Sequence, residues 1–292
     1  MKSISPEKER IRASIVDGIF YPSEKLELLA TIRGLLEKSE VPPGMANVII
    51  SPHAAYQYSG HLAAAAFKAA AARKIDLVVL LGPVHREVPQ AVLLPESPIF
   101  ETPLGQVAVH QETIEELETC STKIIRDDIA HLEEHCLEVQ LPFIQHLFPR
   151  ASIVPILMGA QNLQITTLLS KALRATFADK LDSTLFVISA NMASDMFNKM
   201  NDSDPAPLID RIKQQDWRGI INGVRKGHFS SCGAGCIATI LSLQDIIGKN
   251  VEVLKQGNSA QISGDKKDLV HYAAIAIKKE DEGCHEFHAN GQ

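Results

Sequence analysis

Two histidines follow similar apolar runs of the chain. His53 comes shortly after residues 47–51 (Asn-Val-Ile-Ile-Ser), and His85 comes shortly after residues 77–81 (Leu-Val-Val-Leu-Leu). Runs of Val, Ile and Leu without polar alternation are typical of strands that are covered on both faces in a parallel sheet. Ligands of such sheets bind beyond the carboxyl ends of the strands. We therefore expect both imidazoles at one edge of the sheet, where they could bind a metal.

A cysteine could complete this pair. Cys232 lies among the small residues 231–236 (Ser-Cys-Gly-Ala-Gly-Cys), which open an apolar helix. The N–H groups of a helix N-terminus favour the thiolate, and two imidazoles with one thiolate suit Zn, Fe or Cu with one position left open. The alternative is that both histidines only hydrogen-bond their own turns and that Cys232 is a small buried apolar side chain. Spacing alone does not decide between these interpretations.

A third apolar run, residues 185–189, delivers Asn191 to the same edge, although an amide is a weak metal ligand. The segment 131–135 reads His-x-x-Glu-His, the inverted zincin pattern, in which His131 and His135 would bind zinc and Glu134 would act as the base. Charged helices match this short pattern by chance, so we expect His131 and Glu134 on a solvated helix face. His135 and Glu138 could instead support the site at the strand ends, with His135 as a proton carrier.

Composition limits the possible functions. The chain has 292 residues, 45% of them hydrophobic, with a net charge of −6 from well-mixed acidic and basic residues. There is no basic surface signal for nucleic acid, no apolar stretch of the roughly 20 residues that a membrane helix needs, and a charged beginning, so we expect a cytoplasmic location. Five irregularly spaced cysteines indicate reduced thiols. Gly-rich phosphate motifs and the Gly-x-Ser-x-Gly elbow are both absent from the sequence, which leaves Cys232 with a histidine as the remaining nucleophile arrangement.

Strand-like runs alternate with helical segments along the whole chain. Helices are expected near residues 59–73, 132–147, 163–178 and 234–243, and further strands near 91–94, 152–157, 184–189 and 251–255. This alternation predicts an α/β fold, with helices flanking a largely parallel central sheet in one domain. We place that domain at residues 12–278, between a flexible arm (1–11) and a polar tail (279–292). Cys284, His285 and His288 of the tail could touch a metal, but a disordered tail is the preferred interpretation.

Taken together, these motifs resemble the Memo family, whose prokaryotic members are called AmmeMemoRadiSam system protein B. The resemblance covers about residues 12–277 and is specific through the order of its blocks rather than through any single block. The blocks are GIFYP (18–22), SPHAAYQYSG (51–60), LGPVH (81–85), TPLG (102–105), EHCLEVQLP (134–142), VPILMG (154–159), SCG (231–233) and YAA (272–274).

The resemblance implies a fold similar to the class III extradiol dioxygenases, which use non-haem Fe(II). It places the metal site on His53, His85 and Cys232, and it implies partners of the AMMECR1-like and radical-SAM types. The family commonly has Ser-Ser-Asp-Phe-x-His where this chain has Ser-Ala-Asn-Met-Ala-Ser at residues 189–194. Asn191 and Ser194 thus replace an acidic group and a histidine, a departure that bears on turnover more than on metal binding.

Three hypotheses follow from the sequence. The first is a mononuclear site for a divalent transition metal, Fe before Cu or Zn, that supports redox or oxygen-activating chemistry on an unknown substrate. The second is a binding or adaptor protein whose dioxygenase-like site has lost competence. The third, a cysteine hydrolase built on Cys232, ranks below both because no oxyanion-hole signature accompanies it.

Overall fold

A computed structural model of the protein describes residues 10–86, 90–195, 204–265 and 267–279. Tail residues Cys284, His285 and His288 lie outside the described residues. The strands are β1 (Ile11–Arg12), β2 (Val48–Ser51), β3 (Leu77–Pro83), β4 (Val92–Leu94), β5 (Ile99–Thr102), β6 (Gly105–Ala108), β7 (Ile124–Arg126), β8 (Ser152–Met158), β9 (Thr184–Ser189), β10 (Ala193–Ser194), β11 (Asn250–Asn258) and β12 (Val270–Lys278).

The helices alternate with these strands. They are α1 (Lys25–Lys38), α2 (Tyr56–Lys68), α3 (Gln111–Thr119), α4 (Asp128–Glu133), α5 (Leu141–Leu147), α6 (Leu163–Phe177), α7 (Ala206–Lys213), α8 (Trp217–Arg225), α9 (Ala234–Leu241), α10 (Gln244–Ile247) and α11 (Ala260–Ser263), with short 3₁₀ turns at Glu138–Gln140 and Leu181–Ser183. Among the described residues, no helix combines the length and the apolar character needed to cross a membrane.

Within the described part of the chain, the central sheet has nine strands in the order β10-β12-β2-β9-β3-β8-β4-β7, with β11 paired to β12. Its middle strands, β2, β9, β3 and β8, are parallel, as the unbroken apolar runs predict. Antiparallel strands extend this core on both sides, because β12 pairs with β2 and β4 pairs with β8. The predicted α/β sheet flanked by helices is confirmed, although its outer strands make it mixed rather than parallel throughout.

Packing forms one continuous core. Every residue of β3 is buried, as a strand covered on both faces requires. Helix α2, which is rich in alanine, packs on β2 and β12, and α9 packs on β3 and β9. Of the buried apolar residues that the structure describes, all but Ala193 belong to one cluster that runs from Val16 to Ile277.

The helix predicted at residues 132–147 is wrong in one respect. Helix α4 ends at Glu133, and α5 begins only at Leu141, with Pro142 in its first turn. Between them, Glu134 adopts an extended conformation (φ −100°, ψ 130°), so the chain leaves the helical path. His131 and His135 therefore do not share one helix face, which removes the geometry of the inverted zincin pattern.

Candidate metal centre

The two strand ends and the start of α9 meet as predicted. The potential ligand atoms of His53, His85 and Cys232 all lie within 4.8 Å of one another. His53 follows β2, His85 follows β3, and Cys232 lies two residues before the first residue of α9. The His53 Nε2 atom is 3.2 Å from the Cys232 sulfur. Separations of this size are compatible with one metal ion in contact with all three side chains.

Hydrogen bonds fix the tautomer of His53. Its Nδ1 atom is 2.9 Å from the Ser189 hydroxyl, which donates its own proton to the Cys136 carbonyl oxygen at 2.6 Å. The Gln140 side-chain amide donates to the same hydroxyl at 3.1 Å. Because a carbonyl oxygen can only accept, the Ser189 proton is committed to it and the Nδ1 of His53 must be the donor. The lone pair of Nε2 is thus directed to the site, and burial lowers the pKa of His53 well below its usual value.

Glu134 holds His85 in the equivalent way. Its carboxylate accepts from both the backbone N–H and the Nδ1–H of His85, the latter at 2.8 Å. A carboxylate behind the imidazole leaves Nε2 for the site and makes it a better donor to a metal. Burial lowers the pKa of His85, but the hydrogen bonds to Cys232 and Glu134 outweigh it and raise that pKa to about 10. The expectation that Glu134 is solvated was wrong, because this residue is buried.

The position of Cys232 is set by close backbone packing. Gln161 donates to the Cys232 carbonyl oxygen, and its side-chain oxygen accepts the N–H of Gly235 at 2.7 Å, in the first turn of α9. A Cβ atom on Gly233 would lie 2.4 Å from the Cβ of Ala190, so glycine is required there. Cys232 is the half-buried thiol of the site, whereas Cys236 is fully buried and desolvation raises its pKa well above the usual value.

His135 lies beside this group. Its ring stacks on His85 with centroids 5.1 Å apart and contacts Phe20 at 4.8 Å. With His85 and Glu134 it forms a second set of potential ligand atoms within 4.8 Å of one another. Burial and the nearby His85 lower the pKa of His135 to about 4, so the imidazole is neutral near neutral pH.

Glu138 is enclosed in a buried network away from the ligand atoms. Its carboxylate pairs with Arg12 and accepts from the Tyr21 hydroxyl at 2.6 Å and from the backbone N–H groups of Ile15 and Val16. Arg12 also donates to the carbonyl oxygens of residues 131 and 134. This network ties the N-terminal segment, including Phe20, to the segment that carries Glu134 and His135. Burial and the Glu138 charge raise the pKa of Tyr21.

The structure corrects the prediction for His131. This histidine is buried, not solvated, and its Nε2 atom lies 3.1 Å from the Leu93 carbonyl oxygen. Its ring packs edge-on against Phe100. Its apolar surroundings come from β4 and β5, which the charged residues next to His131 in the sequence do not indicate. His131 therefore faces the strands rather than the candidate ligands.

Asn191 and Ser194 both line a cavity of about 570 Å³ in front of the ligand atoms. The Oδ1 of Asn191 accepts the backbone N–H of His53 at 3.2 Å, so the amide helps to hold the backbone of this candidate ligand. A second cavity, of about 290 Å³, shares His85, Ser230 and Cys232 with the first and has Val84, Val224 and Phe229 in its walls. The candidate ligands are thus reached from two cavities.

Comparison with known proteins identifies the family of the chain. A family model described as Memo-like protein matches residues 12–276. A MEMO1 family protein of Thermotoga neapolitana is 33% identical over 91% of this chain and 99% of its own length. MEMO1 family proteins of Thermoplasma volcanium and Nitrosopumilus maritimus are 32% and 31% identical, each over 91% of this chain and 97% and 98% of their own lengths. The chain therefore belongs to the Memo-like family.

Proposed function

We propose that His53, His85 and Cys232 bind one divalent transition metal, with Fe favoured over Cu and Zn, and that the site performs redox or oxygen-activating chemistry on a small molecule. The observation that carries the proposal is the commitment of both Nδ1–H groups to acceptors behind the rings. His53 then has its Nε2 lone pair available beside the cysteine sulfur, and His85 presents its own Nε2 there on losing the proton that its raised pKa retains.

The donor set fits such an ion. Once His85 has released the proton that its raised pKa retains, two neutral imidazoles and one thiolate supply a single negative charge. Soft sulfur with imidazole suits Fe, Cu and Zn. A metal bound there would supply a Lewis acid or a redox centre. His135, neutral and 5.1 Å from His85 between ring centroids, would accept or deliver a proton at the substrate. Glu138 would act indirectly, by holding the segment that carries Glu134 and His135.

Cobalt titration tests the metal site. Protein purified without oxygen, then stripped, should bind one Co(II) per chain and develop a thiolate-to-cobalt charge-transfer band. Cys232→Ser should lose this band, while Cys236→Ser, which changes a buried thiol of the same helix region, should keep it. Binding of less than one cobalt per chain, or an unchanged band in Cys232→Ser, would refute the proposal. Metal analysis of the anaerobically purified protein identifies the natural ion.

A second candidate is a binding or adaptor protein without turnover, with partners of the AMMECR1-like and radical-SAM types. The observation that favours it is the neutral pair Asn191 and Ser194, which line the cavity where an acid and a histidine are common in the family. The variant Asn191→Asp adds a negative charge near the ion and should tighten Co(II) binding. Unchanged affinity would indicate that position 191 does not influence the metal.

A further inference from the structure

We propose that the cavity of about 570 Å³ binds an uncharged, largely apolar organic molecule, with one polar group at the end that faces His53, His85 and Cys232. The direction of the polar end rests on the proposed function, whereas the preference for an uncharged body does not. A cavity of this volume lies within the range of small-molecule sites in proteins.

The walls of the cavity come from three parts of the chain. Ile19 and Phe20 belong to the N-terminal segment, Tyr58 belongs to α2, and Val270 and Tyr272 belong to β12. Apolar and aromatic surface of this kind favours the burial of an apolar ligand body, at roughly 25 cal/mol for each Å² removed from water. The walls therefore select for size and apolar character.

Charge is the second property of the walls. Among the described residues that line the cavity there is no Lys, Arg, Asp or Glu. The imidazole most able to carry a positive charge, His85, already has the Glu134 carboxylate at 2.8 Å as its counter-charge. A ligand with a carboxylate or phosphate on its body would lose its hydration without gaining a cationic partner.

Another cavity of the same molecule provides the contrast. A pocket of about 710 Å³ at α7 and α8 is lined by Arg211 and Lys226 as well as by Phe229. Arg211 is paired with Asp216, so Lys226 is the lysine that this pocket offers to a ligand. The chain can therefore place a cation at a cavity, and it does not do so in front of the candidate ligands. The difference argues that the cavity in front of them suits neutral molecules.

The polar end of the ligand has defined neighbours. Asn191 uses its Oδ1 atom to accept the N–H of His53, so its amide offers donors rather than an acceptor to the cavity. A carbonyl, hydroxyl or ether oxygen on the ligand could accept from it. These features point to a neutral, largely apolar molecule with one oxygen function at its inner end.

Three probes of nearly equal shape test the preference: 2-naphthamide, 2-naphthoate and 2-naphthyl phosphate. Binding to the metal-free full-length protein is measured by ligand-observed NMR and calorimetry, so that no metal attracts the anions. We expect 2-naphthamide to bind at least about tenfold more tightly than either anion. A tenfold difference in dissociation constant corresponds to only part of the free energy needed to bury an unpaired charge. Equal or tighter binding of an anion, or no binding of 2-naphthamide, would overturn the proposal.

A rim variant locates the binding. Ile19 is 73% exposed at the cavity, so Ile19→Lys places a cation there without disturbing the core. In this variant, the ratio of the dissociation constant of 2-naphthoate to that of 2-naphthamide should fall at least threefold. The matched control Ile129→Lys changes a 71% exposed isoleucine of α4 and should leave the preference unaltered. Identical effects of the two variants would contradict binding in this cavity.

Cobalt titration of the same samples separates the two proposals. Loss of the cobalt site with a retained preference for 2-naphthamide would refute the proposed function and leave the uncharged cavity intact. A normal cobalt site with no preference among the three probes would refute the uncharged cavity and leave the proposed function intact.

Discussion

Each candidate ligand is held by one partner behind it: Ser189 behind His53, Glu134 behind His85 and Gln161 behind Cys232. Partners of this kind orient a ligand and set its basicity, and their loss typically costs about 10- to 100-fold in metal affinity. If the site binds a metal as proposed, the three partners would control its affinity, although none of them would touch the ion.

Glu134 gives the sharpest test of this idea. Glu134→Gln keeps the shape of the side chain but removes the charge that faces the Nδ1–H of His85, so Co(II) affinity should fall about 10- to 100-fold. The neighbouring Glu133→Gln alters an exposed carboxylate that pairs with Arg86 and should leave the affinity unchanged. Equal Co(II) affinities of the two variants would show that Glu134 does not support metal binding.

His131 should make stability depend on pH. Burial lowers its pKa to about 4, with Arg12 also lowering it and Asp127 and Asp128 raising it. The unfolded chain, with an ordinary pKa near 6.5, binds the proton first as the pH falls. Stability is therefore lost between pH 6.5 and about 4, by up to about 3 kcal/mol from this group. In urea unfolding, His131→Gln should weaken this dependence, and parallel profiles of the two proteins would contradict the assignment.

At the residue scale, the convergence of the candidate ligands His53, His85 and Cys232 was predictable from the sequence, and the residues that hold them were not. Apolar runs show which residues follow the strand ends, and parallel strands bring those ends together. Ser189 lies 136 residues from His53, and Gln161 lies 71 residues from Cys232, so no local pattern links them. The environment of His131 was misjudged because its charged neighbours suggest solvent, whereas β4 and β5 cover the ring.

At the element scale, the start of α9 depends on contact with the loop after β9. Gly233→Ala would put a Cβ atom 2.4 Å from that of Ala190 and push Cys232 out of place. We expect a loss of about 1–3 kcal/mol in unfolding free energy together with weaker Co(II) binding. In α1, Gly34→Ala meets no atom within 4 Å and should stabilise the protein by about 0.5–1 kcal/mol. If Gly233→Ala changes neither the unfolding free energy nor Co(II) binding, then α9 can shift freely.

Stability also depends on the buried ion pair that Arg12 of strand β1 makes with Glu138. The Arg12 side chain is 1% exposed and is paired with Glu138, so Arg12→Ala leaves a buried carboxylate without its counter-charge. The expected cost is about 3–5 kcal/mol in unfolding free energy. Arg10→Ala removes a pair with Glu96 in which the arginine is 66% exposed, and should cost no more than about 1 kcal/mol. Similar costs for both would contradict the buried network.

Elements with a continuous apolar run or a clear amphipathic pattern were predictable from the sequence, whereas some elements without either were missed. The parallel strands follow from their apolar runs, and α6 from its amphipathic pattern. β12 was missed because Ala273, Ala274 and Ala276 have little preference for strands, and it is held by pairing on both sides. The break between α4 and α5 arises because Glu134 turns to His85, a tertiary contact that overrides local helix preference.

At the scale of the whole molecule, the sheet and its helices form one structural unit. The buried apolar cluster extends from Val16 to Ile277 and contains residues of both halves of the chain. We expect one cooperative thermal transition, with calorimetric and van't Hoff enthalpies that agree. Two separate transitions would show that the halves unfold independently despite their shared sheet.

The buried pair of Arg12 and Glu138 has an evolutionary consequence. Glu138 receives donors from Arg12, from Tyr21 and from two backbone groups between them, so a change at any one of these three side chains removes a buried hydrogen bond from the others. Single substitutions should be removed by selection, and compensated ones should survive. Across many relatives, the residues at positions 12, 21 and 138 should therefore covary, although more than a hundred residues separate the last from the first.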